Sequence, residues 1–418
     1  MKLNIQSEIG KINGVILHTP GAEVENMTPQ NAQRALYSDI LNLDIARHEY
    51  EQVEGVLSKV TNVYQVRDLL SKVLRYSSKK DKLIKKICKA EDAEKYYNYL
   101  MSISNKELSR VLIEGLPATV DTLTAFLGDD YYALHPLYNF YFTRDASVTF
   151  GNDVLICKMA SKVRLRESLI MEAIFEDSGE FECGVLNARE FTNNGPDLYI
   201  EGGDLVIARD DILVIGNGMR TSTLAIDKIV ESLCKRNISN KQYVIVQQLP
   251  HTPESFIHLD MVFTMLDVDS CMIFEPLILK KNSYQTVQIT IENGKVSNIK
   301  NVENILSALK KLGMDLKPVI CGGTKDVWDQ EREQWHSGAN TFAFAPGKIL
   351  AYARNSHTLE ALSKNNFEIY SANDVINDKV DLEKAKRCVI TLEGSELPRG
   401  GGGARCMTMP LQRDAVKW

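Results

Sequence analysis

After Pro136 the chain repeatedly folds an apolar run back across a tight turn, and this recurrence constrains the fold more than any other feature. The runs read SVTFGNDVLICKM, DLVIARDDILVIGNG, MVFTMLDVDSCMIF and NTFAFAPGKILAYAR, each with Gly, Asp or Pro at its centre, the pattern of paired strands. Helical stretches and single strands separate them: SLIMEAIFED, TLAIDKIVESLCKR followed by YVIVQQLP, and VENILSALKKLG followed by KPVICGG. VILHTPG, DIARHEYEQVEGVLSKV and NVYQV at the N-terminus look like one more unit. A hairpin, a helix and a further strand cannot bury their apolar faces alone, so the units imply a radial or barrel-like α/β arrangement in one catalytic domain, residues 1–418.

Between Asp44 and Leu127 the pattern is mostly helical, with one strand-like segment, TNVYQV, at Thr61 to Val66. Ser104-Asn-Lys-Glu107 reads as a capping box, and Leu83, Ile84 and Ile87 fall at helical spacing among the lysines of Lys79 to Lys89, which are expected to form a solvated face. We expect residues 67–126 to be a helical insertion. No Pro/Ser/Gly-rich linker flanks it, which predicts a packed subdomain.

The formal net charge of -6 lacks the basic footprint that nucleic acid or an anionic membrane demands. The N-terminus has no apolar signal region, and the eight cysteines are scattered singly without a C-x-x-C pair. These features predict a reduced, cytoplasmic protein without a zinc ribbon or disulfide framework.

Four polar clusters stand at hairpin ends and turns, where a rigid scaffold presents chemistry. NFYFTRD places Asn139, Phe142 and Asp145 at every third residue, and EGGD brackets two glycines with Glu201 and Asp204. In HLD, His258 and Asp260 would share a strand face. The fourth is Cys406, delivered by the glycine run Gly400 to Gly403. Each alone is explicable as turn chemistry, a core histidine or a small buried hydrophobe. Together, a thiol, a proton carrier and several carboxylates suit nucleophilic attack on a planar cation, because a carboxylate can bind a guanidinium bidentately. A metal site is the competing reading of the same residues, disfavoured by a single candidate histidine and the lack of a His-Glu-x-x-His pair.

With SEIGKINGVILHTPG, FTRD, EGGD, HLDMVFT, REQW and RCMTMPL in this order, the sequence resembles the arginine deiminases of the guanidino-group-modifying superfamily. The resemblance implies a five-bladed α/β propeller (the pentein fold, with pseudo-fivefold β-β-α-β units) and hydrolysis of free L-arginine to L-citrulline and ammonia without metal or organic cofactor. It implies Cys406 as nucleophile, His258 as acid/base, Asp145 and Asp260 on the guanidinium nitrogens, and Glu201 supporting guanidinium and histidine. Asn139, Phe142, Arg220 and Gly400 match substrate-positioning sites, with Arg220 on the substrate carboxylate. A homo-oligomer is also expected.

Agmatine deiminase, methylarginine hydrolase and amidinotransferase are the neighbouring alternatives, and an inactive binding homologue the remote one. Departures from the family pattern fall beside the site: Gly401 stands where many members have an arginine, Arg405 precedes the nucleophile, and His336-Ser-Gly-Ala-Asn follows REQW. The side chain of Arg405 could point toward the thiol or into solvent.

Overall fold

The computed structural model describes residues 1–28, 39–128, 131–191, 197–236 and 241–418. Five of its sheets follow one plan, in which an antiparallel strand pair is extended by a parallel strand on the second member. In sequence order the pairs are Ser147–Phe150 with Asp153–Ile156, Leu205–Arg209 with Ile212–Asn217, Phe263–Asp267 with Ser270–Ile273, and Phe342–Ala345 with Lys348–Tyr352. Their parallel partners are Gly184–Asn187, Gln242–Gln248, Lys317–Ile320 and Cys388–Leu392. The fifth sheet joins the chain ends: Ile12–Leu17 pairs antiparallel with Met409–Arg413 and parallel with Asn62–Gln65.

A parallel step requires a crossover, and a helix supplies it in each unit. Leu43–Val60, Leu165–Asp177, Thr223–Lys235, Ile305–Lys311 and Ser356–Lys364 take this role. Several begin at caps that the sequence provides: Asn42, Ser222 and Asn304 accept from the amides of Ile45, Ala225 and Ser307, satisfying donors a helix start leaves orphaned.

The four quoted hairpins are therefore present, and TNVYQV contains the strand Asn62–Gln65. Sequence reading did not identify the hairpin Thr286–Glu292 and Lys295–Val302, which widens the sheet of Leu205–Arg209, Ile212–Asn217 and Gln242–Gln248 to five strands. Its signal was available, since Asn293-Gly294 takes positive φ at both residues, as a tight hairpin turn demands.

Helices Val66–Leu74, Ser77–Ala90, Tyr97–Ser102 and Asn105–Glu114 follow the first unit. Ser104 accepts from the Glu107 amide as the capping pattern predicts. Their apolar faces, including Leu70, Leu83, Ile84, Ile87 and Leu112, enter the same buried cluster as Ile170 and Ile174 of the next unit. The lysine face is mostly exposed and paired: Lys82 with Glu176, Lys85 with Asp81 and Lys86 with Glu172. Lys80 departs from that expectation. It is buried, and its ammonium donates to the carbonyls of Met101 and Ile103 at 3.1 Å each, which supplies the partners that a buried cation needs.

Candidate active site

Asn139, Phe142 and Asp145 reach one region because the backbone there is a chain of three-residue turns. The Phe142 amide donates to the Asn139 carbonyl at 3.0 Å and the Asp145 amide to that of Phe142 at 3.4 Å. A period of three in a succession of i to i+3 bonds returns side chains to one side. EGGD likewise winds into a short 3-10 turn at Gly202–Asp204. A Cβ on Gly203 would lie 2.6 Å from the His258 ring, so glycine allows this turn to pack directly against the histidine.

The expectation that His258 and Asp260 lie on a strand is corrected. His258 is extended, but Leu259–Met261 is a 3-10 turn ahead of the strand Phe263–Asp267. The cause is local: the Met261 amide donates to the His258 carbonyl at 3.2 Å, while the Leu259 amide turns to Asp204 Oδ1 at 2.9 Å.

The end of the glycine run is wedged and not loose. A Cβ on Gly402 would come 2.5 Å from the Phe142 ring, and one on Gly403 2.8 Å from Asn340, whereas one on Gly401 would meet nothing within 4 Å among the described residues, and glycine serves there for its φ of 87°. Gly400 and Gly401 border a small cavity of about 60 Å³ together with Ile257, Met261 and Trp335. Beyond them the Met407 amide returns to the Gly403 carbonyl at 3.2 Å, and the Arg144 amide donates to the Cys406 carbonyl at 3.1 Å. This turn fixes the thiol beside FTRD.

Cys406, His258, Asp145, Glu201, Asp260, Asn139, Phe142 and Arg220 are all buried. The Cys406 Sγ lies 3.6 Å from Asp260 Oδ2, and His258 Nε2 lies 3.1 Å from Glu201 Oε2 with its Nδ1 3.7 Å from Asp145 Oδ1. Arg220 Nη1 stands 3.6 Å from Glu201 Oε1, and its buried Nε has no hydrogen-bond partner among the described residues.

Sequence reasoning missed two members of this cluster. Arg164 donates to Asp145 Oδ2 at 2.7 Å, lies 3.7 Å from Glu201 Oε2 and is held by Glu167. Asn340 donates to Cys406 Sγ at 3.1 Å and accepts from the amides of Arg405 and Cys406 at 3.0 and 3.1 Å. Neither sits in a distinctive local pattern, although Asn340 ends the altered run after REQW. Arg405, whose direction the sequence left open, points inward and bonds Glu8 and Asp260. His336 instead faces Arg354 at the surface.

The electrostatics follow from burial among unlike charges. Burial alone would depress the His258 pKa, yet Asp145, Glu201 and Asp204 outweigh it and lift it to about 9. Glu201 moves the other way: burial opposes ionisation, but His258, Arg220 and Arg164 hold the carboxyl below its ordinary range. The Cys406 thiol is pushed well up by burial and by the charges of Asp260 and Asp145. The free site at neutral pH thus combines a protonated thiol with an imidazolium.

Among the described residues, donor atoms of Asp145, Glu201 and His258 lie within 4.8 Å of one another, close enough for a metal ion. Their existing partners favour an organic cation, because a guanidinium, that of Arg164, already spans Asp145 and Glu201.

The family model for arginine deiminase matches residues 33–413. The chain belongs to the arginine deiminase family. It is 34% identical to the arginine deiminase of Limosilactobacillus reuteri (strain DSM 20016), with 99% of each chain covered. It is 32% identical to that of Treponema denticola, covering 99% of both. The fold matches that of the N-terminal domain of ArgZ, an arginine dihydrolase from cyanobacteria, at a TM-score of 0.53 and 14% identity, covering 96% of this chain and 98% of that one. It also matches a dimethylarginine dimethylaminohydrolase in an adduct with S-methyl-L-thiocitrulline, at 0.51 and 12%, covering 96% and 99%. Arginine deiminase activity accordingly rests on full-length relatives, and the likeness to the two solved structures concerns the mixed α/β fold.

Proposed function

We propose that this chain hydrolyses free L-arginine to L-citrulline and ammonia through a covalent intermediate on Cys406. The observation that carries the reading is the buried Cys406 thiol 3.6 Å from Asp260 together with a buried histidine set between Glu201 and Asp145, the latter a carboxylate whose charge acts on thiol and imidazole alike. In the proposed binding mode Asp145 and Asp260 grip the guanidinium, Asn139, Phe142 and Gly400 position it, and Arg220 receives the carboxylate. The unpartnered Nε of Arg220 supports that last role, and agmatine would leave it unpaired.

On arginine binding the Cys406 thiol loses its proton to solvent; the thiolate attacks the guanidinium carbon, and the imidazolium of His258 gives its proton to the departing nitrogen, which leaves as ammonia. The S-alkylthiouronium that remains is attacked by a water from which neutral His258 takes a proton. Collapse of the adduct breaks the C–S bond and passes the remaining hydroxyl proton to solvent, releasing citrulline and the thiolate. A substrate cation beside Cys406 opposes Asp260 and Asp145, so arginine lowers the thiol pKa that the empty site holds high.

Five sheets of one plan, one of them made from both chain ends, support a five-bladed α/β propeller in a single domain, with residues 67–126 as a helical insertion. Exposed Leu123, Phe126 and Leu127 suit a homo-oligomer, which multi-angle light scattering of the purified chain would test. The eight free cysteines fit a reduced cytoplasm, whereas among the described residues no helix is long and apolar enough to cross a membrane.

Citrulline and ammonia release should be measured with L-arginine, agmatine, methylated arginines and peptidyl arginine. L-arginine is the expected best substrate; a marked preference for agmatine would remove the role given to Arg220. Cys406→Ala should bind arginine without turning it over, and citrulline production by that variant would end the covalent scheme.

A further inference from the structure

Arg405 is buried, and its donors reach three other segments of the chain. Its Nε and Nη2 bond the two oxygens of Glu8 at 3.1 and 3.0 Å, and Nη2 also reaches the Leu205 carbonyl at 2.6 Å. Its Nη1 donates to Asp260 Oδ2 at 2.8 Å and lies 3.5 Å from the Gly203 carbonyl. The N-terminal SEIG motif, the EGGD turn, the HLD turn and the thiol loop therefore meet at one guanidinium.

Such a fork has little freedom to rotate. Its planar donors are matched in pairs, which a lysine ammonium cannot reproduce from one point. Glu8 is a fixed anion: burial opposes its charge, but Arg405, Arg144 and Arg413 overcome that and hold its pKa at about 2. Asp260 Oδ2, the oxygen Arg405 takes, is also the one nearer to Cys406 Sγ, at 3.6 Å against 3.8 Å for Oδ1.

We propose that Arg405, clamped by Glu8, is a positioning residue that holds Asp260 Oδ2 and thereby sets the carboxylate edge that Asp260 offers to a bound guanidinium. This rests on the reading of Asp260 as a substrate carboxylate. The arrangement also gives buried Asp260 a cation before substrate arrives, avoiding the cost of an unpaired buried charge. The next residue after Arg405 is the nucleophile, so the same clamp sets the distance between thiol and carboxylate.

The test compares KM and kcat for L-arginine in wild type, Glu8→Gln, Arg405→Lys and the double variant, with thermal melting of each. Each single variant is expected to raise KM by about tenfold or more while kcat changes less, the mark of a disturbed binding group. The double variant should be no worse than the worse single one, because both break the same chain. Glu8→Asp, which keeps the charge, should recover part of the loss. Additive effects, or a fall in kcat with unchanged KM and a lowered melting temperature, would reduce Arg405 to a structural role and overturn the proposal. If Glu8→Gln does not fold, Arg405→Lys decides by the same split. Normal KM in Asp260→Asn would instead remove the underlying reading of Asp260.

Discussion

The Sγ of Cys406 lies 3.6 Å from Oδ2 of Asp260, a thiol set against a carboxylate in a buried site. Two like charges at that distance repel, so thiolate formation in the empty site is opposed by the residue proposed to bind substrate. Alkylation of Cys406 by iodoacetamide should be slow at neutral pH in the free protein. Asp260→Asn should increase that rate by about tenfold or more, one pKa unit being a tenfold change in thiolate, while abolishing citrulline formation. Unchanged alkylation in that variant would contradict the electrostatic account.

In the proposed mechanism His258 gives a proton to the departing ammonia, and its pKa is lifted to about 9. Because the free site also holds the Cys406 thiol protonated, the kcat/KM profile, which reports the free enzyme, should rise with pH through neutrality and lose that rise as His258 deprotonates above about 9. Glu201→Gln removes a hydrogen-bonded carboxylate at 3.1 Å and should move that alkaline limb down by about one unit or more. The same linkage acts on stability. A histidine raised above its unfolded value stabilises fully below about pH 6.5 and loses that contribution as pH rises through about 9, a decline that urea unfolding at several pH values would measure.

Asn340 donates to the Cys406 sulfur and accepts two amides with its carbonyl oxygen. Asn340→Ala leaves those buried amides without their acceptor, which should cost about 1–3 kcal/mol of stability. Activity should fall further than folding accounts for, because the thiol loses its register with Asp260. Differential scanning calorimetry and kcat/KM on the same preparation separate the two effects, and wild-type kinetics in a folded Asn340→Ala would refute the role.

The glycines before Cys406 are predicted to differ from one another. Gly401→Ala meets no neighbour and bears only the strain of positive φ, about 1 kcal/mol, so it should keep most activity. Gly402→Ala drives a methyl to 2.5 Å from the Phe142 ring and should lower kcat/KM by about a hundredfold, since a shift near 1 Å in a reacting group has that scale. Equal kinetics for the two variants would remove the distinction between close approach and backbone freedom.

The local alphabet of the fold was legible where hairpin turns and helical periods are short-range. The four hairpins and most crossover helices arise from contacts between near neighbours, so their patterns survive in the linear chain. HLD was misread as a strand because the Leu259 amide bonds Asp204, which is 55 residues distant. Lys80 was placed in a solvated face because nothing near it announces the carbonyls of Met101 and Ile103.

At the site, the sequence by itself determined the chemical inventory: a late cysteine, His258, the carboxylates Asp145, Glu201 and Asp260, and motifs that identify the arginine deiminase family. Residue type and order suffice for that, because a thiol, an imidazole and a carboxylate bring their chemistry wherever they lie. Only the tertiary structure decided that Arg164 occupies Asp145, that Asn340 holds the sulfur, and that Arg405 turns inward to Glu8, 397 residues away in the chain. Burial makes such pairings obligatory, since a charged group removed from water needs a partner, and which partner is available depends on how distant segments pack.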